Sequence, residues 1–400
     1  MTRTIKTDIA IFGGGIAGLW LINVLTQRGY SCVLFETGEL GGGQTLLSQG
    51  IIHGGLKYAL GGTLSSESEA IAGMPDRWRA SLRGDGDIDL RNVHILSETQ
   101  HLWSAGSMAS RFTAFFASKM LRGRIDKLPF EQYPGALRDR AFRGKVYRMD
   151  DLVVDTPSLL KALIAPVADR LLKLDLSRDV LEWNERGLAA VTVGDVRIEP
   201  RATVLAAGSG NDALLQQAQQ QHLAAHIHTQ LRPLQMLMVR HRLGHRLYAH
   251  CIGASNKPRL TVTTHDLGDG SVIWYLGGDI AERGVQQDAD ALIAAGKQEL
   301  AQLFPWLDFS DADFATVRVD RAEPKQDNLL KPDNAYAQRD KNLVVTWPTK
   351  LTLAPDLGDR VAALLQDIAP TSSGEPVPDD LPRAQLATPH WERLFGAPRD

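Results

Sequence analysis

The 400-residue sequence has few cysteines, little net charge and no long apolar run. Its two cysteines, Cys32 and Cys251, can form one disulfide at most, and Cys32 lies in an apolar stretch typical of a buried strand. We therefore expect a protein of the reducing cytoplasm rather than a disulfide-stapled secreted domain.

Charge and hydropathy exclude further classes. The 44 Lys and Arg residues oppose 47 Asp and Glu residues, for a formal net charge of −3, so the overall charge gives no reason to expect nucleic-acid binding, although it leaves a local basic patch open. The apolar stretch after the polar N-terminus is broken by three glycines and resembles neither a signal peptide nor a membrane span. A chain of this length exceeds one ordinary core, which predicts two connected domains.

A glycine-rich turn between two predicted strands is the most informative feature that is present. Residues 8–12 are rich in β-branched side chains and predict a strand. From Ile16, apolar residues recur at helical spacing as far as Gly29, which is typical of a helix C-terminus. A second strand is predicted at residues 31–35 and ends on Glu36. This order is that of a Rossmann-type nucleotide-binding unit.

The glycines of this turn have the spacing of a dinucleotide-binding fingerprint. Gly13 permits the tight turn, Gly15 lets the backbone approach a pyrophosphate, and Gly18 allows the helix to pack on the strand. The helix N-terminus, at Ile16 and Ala17, offers N–H groups and a partial positive charge to the phosphates. The acid that ends the second strand is expected to accept hydrogen bonds from the ribose hydroxyls.

A second motif indicates which dinucleotide is bound. Residues 50–58, Gly-Ile-Ile-His-Gly-Gly-Leu-Lys-Tyr, resemble a segment of the FAD-dependent glycerol-3-phosphate dehydrogenases. More broadly they resemble the D-amino-acid oxidase superfamily, which includes glycine and sarcosine oxidases. Further matches follow in the family's order at residues 204–209, 233–236 and 351–355. The resemblance implies non-covalent FAD and the oxidation of a small amine, amino acid or hydroxy compound by hydride transfer to flavin N5.

The predicted elements and the resemblance together give the fold class. We expect an α/β protein with a Rossmann-type, glutathione-reductase-like FAD-binding domain and a second substrate domain built on a mostly antiparallel sheet, because polar and apolar residues alternate between positions 231 and 278. The expected FAD-binding domain comprises residues 1–73, 148–215 and 322–370. The expected substrate or cap domain comprises residues 74–147 and 216–321, and residues 371–400 form a C-terminal tail with no predicted element.

The family also implies which residues line the cofactor beyond the first turn. Glu36 joins the glycines in holding the ADP half, the backbone of Val180 touches the adenine, and the remaining residues lie along the pyrophosphate, ribityl chain and flavin. These remaining residues are Thr37, Gln44, Thr45, Ser48, Gln49, Gly50, Ala207, Gly208, Lys350, Leu351 and Thr352.

Two positions depart from the family pattern. Lys350 replaces a glycine before the predicted helix at Thr352, where an ammonium would stabilise the negative charge of a reduced flavin; the alternative is a solvated lysine on a turn. Glu323 stands before a proline where relatives with acidic substrates have an arginine. This weakens the expectation of a plain α-amino or α-hydroxy acid, unless Arg321 compensates.

Four residues are the candidates for catalysis: Lys350, Tyr275, His53 and Lys57. Lys57 matches a phosphate-contacting arginine of the glycerol-3-phosphate dehydrogenases, keeping its charge but losing the bidentate fork. His53 could accept a proton or, as a histidine does in some relatives, bond covalently to the flavin, but we expect it to have a positioning role beside a non-covalent flavin. Strand alternation allows only one of Trp274 and Tyr275 to face the site, and we choose Tyr275. The histidine clusters lack a metal-binding signature, so no metal is expected.

Two other functions stay open on the sequence alone. One is a non-catalytic flavin-binding assembly or scaffold protein, which the altered segment around Glu323 allows. The other is an NAD-dependent dehydrogenase that uses only the first motif. A small-molecule substrate is the expected partner, while an oligomer and a peripheral contact with a membrane or quinone are left open.

Overall fold

The computed structural model describes residues 3–54, 71–104, 125–253, 257–325, 334–371 and 375–396. Its helices are α1 (Ile16–Gln27), α2 (Met74–Arg83), α3 (Thr156–Ile164), α4 (Asn211–Gln219), α5 (Asp279–Gly284), α6 (Ala289–Leu303), α7 (Ala354–Leu364) and α8 (His390–Phe395). Its strands are β1 (Arg3–Phe12), β2 (Cys32–Glu36), β3 (Ile51–Ile52), β4 (Ile95–Ser97), β5 (Gln100–Ser104), β6 (Ile125–Lys127), β7 (Lys145–Met149), β8 (Leu152–Val154), β9 (Leu171–Lys173), β10 (Val180–Asn184), β11 (Gly187–Val193), β12 (Val196–Leu205), β13 (Thr229–His241), β14 (Ala249–Ile252), β15 (Pro258–Asp266), β16 (Val272–Gly277), β17 (Asp313–Pro324), β18 (Tyr336–Asp340) and β19 (Leu343–Trp347).

The nucleotide domain is built on a sheet with the strand order β10-β11-β12-β1-β2-β9, and β19 pairs with β12. β1 pairs in parallel with both β12 and β2, which is the arrangement expected of a Rossmann unit. β1 begins at Arg3, five residues before the predicted start, because it keeps pairing with β12 from Arg3 to Phe12. The parallel strands and their helices confirm the α/β class.

The helix that follows the glycine turn is buried along most of its length. Every residue of α1 from Ile16 to Leu25 is buried, because the sheet lies on one side and α3 and α7 on the other. The indole of Trp20 packs against that of Trp78 in α2, with 5.0 Å between the ring centroids. α2 therefore packs in the nucleotide core, which differs from the boundary predicted at residue 74. The amphipathic pattern of this segment predicts one buried face, but it does not indicate which domain that face packs against.

The substrate domain is built on a second sheet with the order β17-β13-β16-β15-β14-β5-β7-β6. All its pairs are antiparallel except that between β14 and β5, so the expected antiparallel architecture is confirmed. One face buries Trp274 and Trp103 with apolar residues of α6. The opposite face carries Tyr275 with Met236 and Met238 and contacts Leu47 of the nucleotide domain. The alternation along β16 thus separates the two aromatic residues as expected.

Residues 375–396 are packed onto both domains. Leu381, Ala384 and Ala387 are buried against the nucleotide domain, and Trp391 in α8 is buried against the substrate sheet. The predicted tail therefore contains an ordered segment, which its proline-rich composition did not indicate. Within the described ranges, no helix has the length and apolar character needed to cross a bilayer.

Candidate functional site

Two glycines of the fingerprint turn are required by close packing. Gly13 has a φ of 109°, and a Cβ there would lie 2.5 Å from Cα of Ala207. A Cβ on Gly18 would lie 1.8 Å from the carbonyl oxygen of Gly13. Any side chain at either position would therefore push the turn away from α1 or from the segment Ala207–Gly208.

Gly15 differs because the space in front of it is open. The nearest atom to a Cβ there is Oγ1 of Thr45, at 3.2 Å, and the same hydroxyl accepts a hydrogen bond from the N–H of Ile16 at 2.9 Å. Ala17 completes the buried first turn of α1. An open backbone cradle at a helix N-terminus has the shape and polarity that a pyrophosphate requires, so these residues fit a dinucleotide.

Residues from two distant segments border this cradle. Gly208 has a φ of 59°, and a Cβ there would meet Nε2 of Gln44 at 3.3 Å. Ala207 precedes it and donates its N–H to Oδ1 of Asn211 at 2.8 Å. The structure thus brings the predicted pair Ala207–Gly208 to the predicted loop that contains Gln44 and Thr45.

Glu36 lies at the carboxyl end of β2, beside the turn. Its Oε2 accepts from the N–H of Gly14 at 2.6 Å, and its Oε1 accepts from the N–H of Gly38 at 2.5 Å. The ammonium of Lys173 donates to the carbonyl oxygen of Thr37 at 2.6 Å. The half-buried carboxylate is therefore fixed in orientation and retains lone pairs for ribose hydroxyls.

Val180 is far from Glu36 in the sequence, but the turn that precedes it is bonded to the end of β2. The turn before it starts at Leu174, whose N–H donates to the carbonyl oxygen of Glu36 at 2.9 Å. Val180 then begins β10 and is 51% exposed. Its backbone contact with adenine stays a prediction.

The flavin-side loop, residues 44–50, is bonded to the substrate sheet. Nε2 of Gln49 donates to the carbonyl oxygen of Tyr275 at 2.9 Å, and the hydroxyl of Tyr275 donates to the carbonyl oxygen of Leu47 at 2.8 Å. Burial raises the pKa of Tyr275 far above its usual value. Tyr275 thus faces the nucleotide domain, where its hydroxyl positions the loop, and its catalytic role stays a prediction.

The end of this loop is shaped by Gly50. Its φ is 67°, and a Cβ there would lie 2.1 Å from the carbonyl oxygen of Val154. The adjacent Ser48 hydroxyl lies 3.4 Å from the N–H of Gly50. The tight turn directs the chain into β3, which pairs with β8 through Ile51 and Val153.

The pairing of β3 with β8 places His53 beside a buried carboxylate. Nδ1 of His53 lies 3.2 Å from Oδ2 of Asp151, whose other oxygen accepts from the N–H of Gly54 at 2.8 Å. The Asp151 side chain is 3% exposed and that of His53 13%. The ring of His53 also stacks on that of His250, with 5.9 Å between centroids. Nδ1 of His250 lies 2.8 Å from Oγ1 of Thr261.

The predicted flavin-edge segment meets the same histidine. Lys350 has an extended backbone and precedes the short 3-10 turn Leu351–Leu353 that leads into α7. The N–H of His53 donates to Oγ1 of Thr352 at 2.9 Å. A helix N-terminus, a histidine and a carboxylate from three separate parts of the chain therefore converge at one place. The charge effect predicted for Lys350 remains untested.

Glu323, which stands where relatives with acidic substrates have an arginine, lies in one cluster with two arginines. Glu323 is buried, and its Oε2 accepts from Nη1 of Arg232 at 3.3 Å. Nε of Arg321 donates to the carbonyl oxygen of Arg232 at 3.2 Å, because these two residues face each other across β13 and β17. The cluster therefore holds two guanidinium groups and one carboxylate.

Sequence reasoning missed Asp151, His250 and Arg232. None of them belongs to a motif, and contacts between segments distant in sequence bring them to the predicted residues. Lys57, the fourth catalytic candidate, lies outside the described residues. Among the residues that the structure describes, no group of three or more His, Cys, Asp or Glu side chains is arranged to hold a metal ion.

Comparisons with known proteins show the family of this chain. The profile of the family described as FAD dependent oxidoreductase, DAO, matches residues 8–344. A probable FAD-dependent oxidoreductase of Pseudomonas aeruginosa is 50% identical over 396 residues, covering 99% of this chain and 100% of the relative.

Solved structures share the fold. The crystal structure of an FAD dependent oxidoreductase from Pseudomonas aeruginosa has a TM-score of 0.84 and 46% identity, covering 99% of this chain and 100% of the other. Glycine oxidase from Geobacillus kaustophilus has a TM-score of 0.67 at 16% identity, covering 92% and 96%. The family resemblance inferred from the motifs is confirmed, with FAD rather than NAD as the cofactor. The chain belongs to the DAO family of FAD-dependent oxidoreductases.

Proposed function

We propose that this oxidoreductase acts on a small hydroxy compound and that His53 accepts the proton of the substrate hydroxyl. The observation that carries the proposal is the contact of 3.2 Å between His53 Nδ1 and the buried carboxylate of Asp151. The chemistry that bound FAD would supply is the acceptance of a hydride, and the protein would provide orientation and proton transfer.

The pair formed by His53 and Asp151 suits a general base. A carboxylate that accepts a hydrogen bond from Nδ1–H leaves the lone pair on Nε2, the other ring nitrogen, and stabilises the imidazolium formed when that nitrogen takes a proton. The second oxygen of Asp151 is held by the N–H of Gly54 at 2.8 Å, so the carboxylate cannot rotate freely. This arrangement keeps the histidine in one orientation through the reaction.

A hydroxy substrate uses such a base more than an amine does. An alcohol must lose its O–H proton as its carbon becomes a carbonyl, because a protonated carbonyl is a very strong acid, whereas a neutral amine gives a stable iminium ion and can lose its proton afterwards. The resemblance of residues 50–58 to the glycerol-3-phosphate dehydrogenase segment supports the same substrate class. His53 lies within this segment.

The cluster of Arg232, Arg321 and Glu323 supports an anionic group on the substrate. Two guanidinium groups lie in this cluster, and Glu323 orients that of Arg232 through their contact of 3.3 Å. A planar guanidinium binds carboxylate or phosphate in a bidentate manner. We therefore propose that Arg232 and Arg321 take over the anion-binding role of the arginine that Glu323 replaces.

An anaerobic substrate screen tests the proposal. Hydroxy acids and polyol phosphates are compared with amines and amino acids for loss of the visible flavin absorption. We expect hydroxy compounds to reduce the flavin, and His53→Gln to lower the rate constant of reduction by roughly 100-fold or more. Asp151→Asn keeps an acceptor for the N–H of Gly54 but removes the charge, so it should show a smaller loss. The exposed variant His226→Gln is the matched control and should reduce at the wild-type rate.

Three results would contradict the proposal in different ways. Reduction by amines alone would replace the hydroxy class by the amine class. Wild-type rates in His53→Gln would remove the proposed base. Failure of every compound to reduce the flavin, together with a stably copurifying protein, would favour the scaffold function.

A further inference from the structure

The C-terminal arm, defined as residues 375–396, adds to the edge of the nucleotide sheet. The N–H of Lys173 in β9 donates to the carbonyl oxygen of Pro382 at 2.8 Å, and the N–H of Ala384 donates to that of Leu171 at 3.0 Å. β9 is otherwise the last strand of its sheet on this side. The arm therefore covers an edge whose backbone groups need partners.

The same arm holds the loop that follows Glu36, which we call the adenosine loop and define as residues 37–43. The N–H of Leu40 donates to the carbonyl oxygen of Gln385 at 2.7 Å, and the N–H of Ala387 donates to that of Leu40 at 3.1 Å. A Cβ on Gly42 would lie 3.3 Å from Cβ of Ala387. Both backbone groups of Leu40, at the centre of the adenosine loop, are thus hydrogen-bonded to the arm.

The far end of the arm is anchored on the substrate sheet. The indole of Trp391 is 5% exposed and stacks on the imidazole of His265, with 4.1 Å between ring centroids and an interplanar angle of 22°. Nη1 of Arg240 donates to the carbonyl oxygen of Phe395 at 3.1 Å. One short segment therefore contacts the adenosine loop and the substrate domain at once.

We propose that the C-terminal arm positions the adenosine loop for the ADP half of FAD and links that loop to the substrate sheet. The inference depends on the placement of the ADP half at Glu36 and the glycine turn. Gly38, whose N–H fixes the carboxylate of Glu36, lies two residues before Leu40, so displacement of the loop would also release that carboxylate. The arm acts as a positioning element and has no part in the chemical step.

Binding of ADP and FAD to the apoprotein tests this inference without any need for turnover. Ala387→Pro removes the N–H that donates to Leu40 and sets the proline ring against that carbonyl oxygen. We expect the dissociation constants for ADP and FAD to rise by the same factor, at least about tenfold. Trp391→Ala should raise both by a smaller factor, because it frees only the far end. Leu394→Ala, on the exposed side of the same helix, is the matched control and should change neither by more than about twofold.

Hydrogen exchange gives a readout that a general loss of stability would not reproduce. In Trp391→Ala and Ala387→Pro, exchange of the Leu40 amide should accelerate while that of Ile11 in the centre of the sheet does not. A folded Ala387→Pro protein with wild-type ADP affinity would overturn the inference. If that variant does not fold, an unchanged exchange rate of the Leu40 amide in Trp391→Ala would overturn it. Failure of the wild-type apoprotein to bind ADP would instead refute the placement of the cofactor.

Discussion

Replacement of Gly15 by alanine should separate cofactor binding from folding. Gly15 has φ of −81° and ψ of −174°, which alanine adopts without strain. The new methyl group would meet only Oγ1 of Thr45, at 3.2 Å, so that hydroxyl must move by a few tenths of an ångström. If its bond to the N–H of Ile16 is lost as a result, the free energy of unfolding falls by about 1 kcal/mol.

The effect on FAD should be much larger. The methyl group would occupy the open space where a phosphate oxygen meets the backbone of Gly15. Loss of one hydrogen bond to a charged group costs about 1.5–3 kcal/mol. The dissociation constant for FAD should therefore rise by roughly 10- to 150-fold.

The contrast with Gly18→Ala makes the test specific. A Cβ on Gly18 would lie 1.8 Å from the carbonyl oxygen of Gly13, so this substitution should destabilise the fold itself by about 1–3 kcal/mol or more. Flavin fluorescence titration of the apoprotein measures affinity, and urea unfolding of the same apoprotein measures stability. Wild-type FAD affinity in a folded Gly15→Ala protein would refute the pyrophosphate placement.

Three further predictions concern buried groups. Trp78→Phe removes the hydrogen bond of 2.9 Å from the indole to the carbonyl oxygen of Thr352 and should lower the free energy of unfolding by about 1–3 kcal/mol in urea. Burial lowers the pKa of His241 and His265 to about 4. At pH values between the unfolded pKa of about 6.5 and the native pKa, the unfolded chain binds more protons than the native protein. The free energy of unfolding should therefore fall as the pH falls through this window, and it should fall less steeply in His265→Phe. Burial raises the pKa of Cys32 to about 12, so native protein should not react with a disulfide reagent at that thiol at about pH 8, and rapid labelling would contradict this.

The first nucleotide-binding unit could be predicted from sequence because its signals are local. The β-branched run, the glycine spacing and the acid at Glu36 all lie within one βαβ segment. The separation of Tyr275 from Trp274 likewise follows from strand alternation alone, and the structure places them on opposite faces of the sheet.

The centre of the proposed chemistry could not be predicted in the same way. Asp151 is 98 residues from His53, and the two meet only because β3 pairs with β8. Nothing in the local sequence specifies that pairing. The placement of α2 in the nucleotide core depends on the contact between Trp20 and Trp78, which a periodic pattern of apolar residues does not identify.

The C-terminal arm was missed for a related reason. Its prolines and polar residues favour neither helix nor strand over most of its length, and its order comes from a few buried side chains and from backbone bonds to Leu171, Lys173 and Leu40. Such bonds are made by carbonyl groups that every residue possesses and by N–H groups that every residue except proline possesses, so they leave little trace in the side-chain pattern.

A crystal structure of the FAD-bound protein would test the central claim most directly. We expect the pyrophosphate to lie on the backbone of Gly15 and the first turn of α1, the ribose hydroxyls to bond Glu36, and the flavin ring to reach His53 and Thr352. A pyrophosphate bound away from Gly15, or a flavin ring remote from His53, would contradict the account.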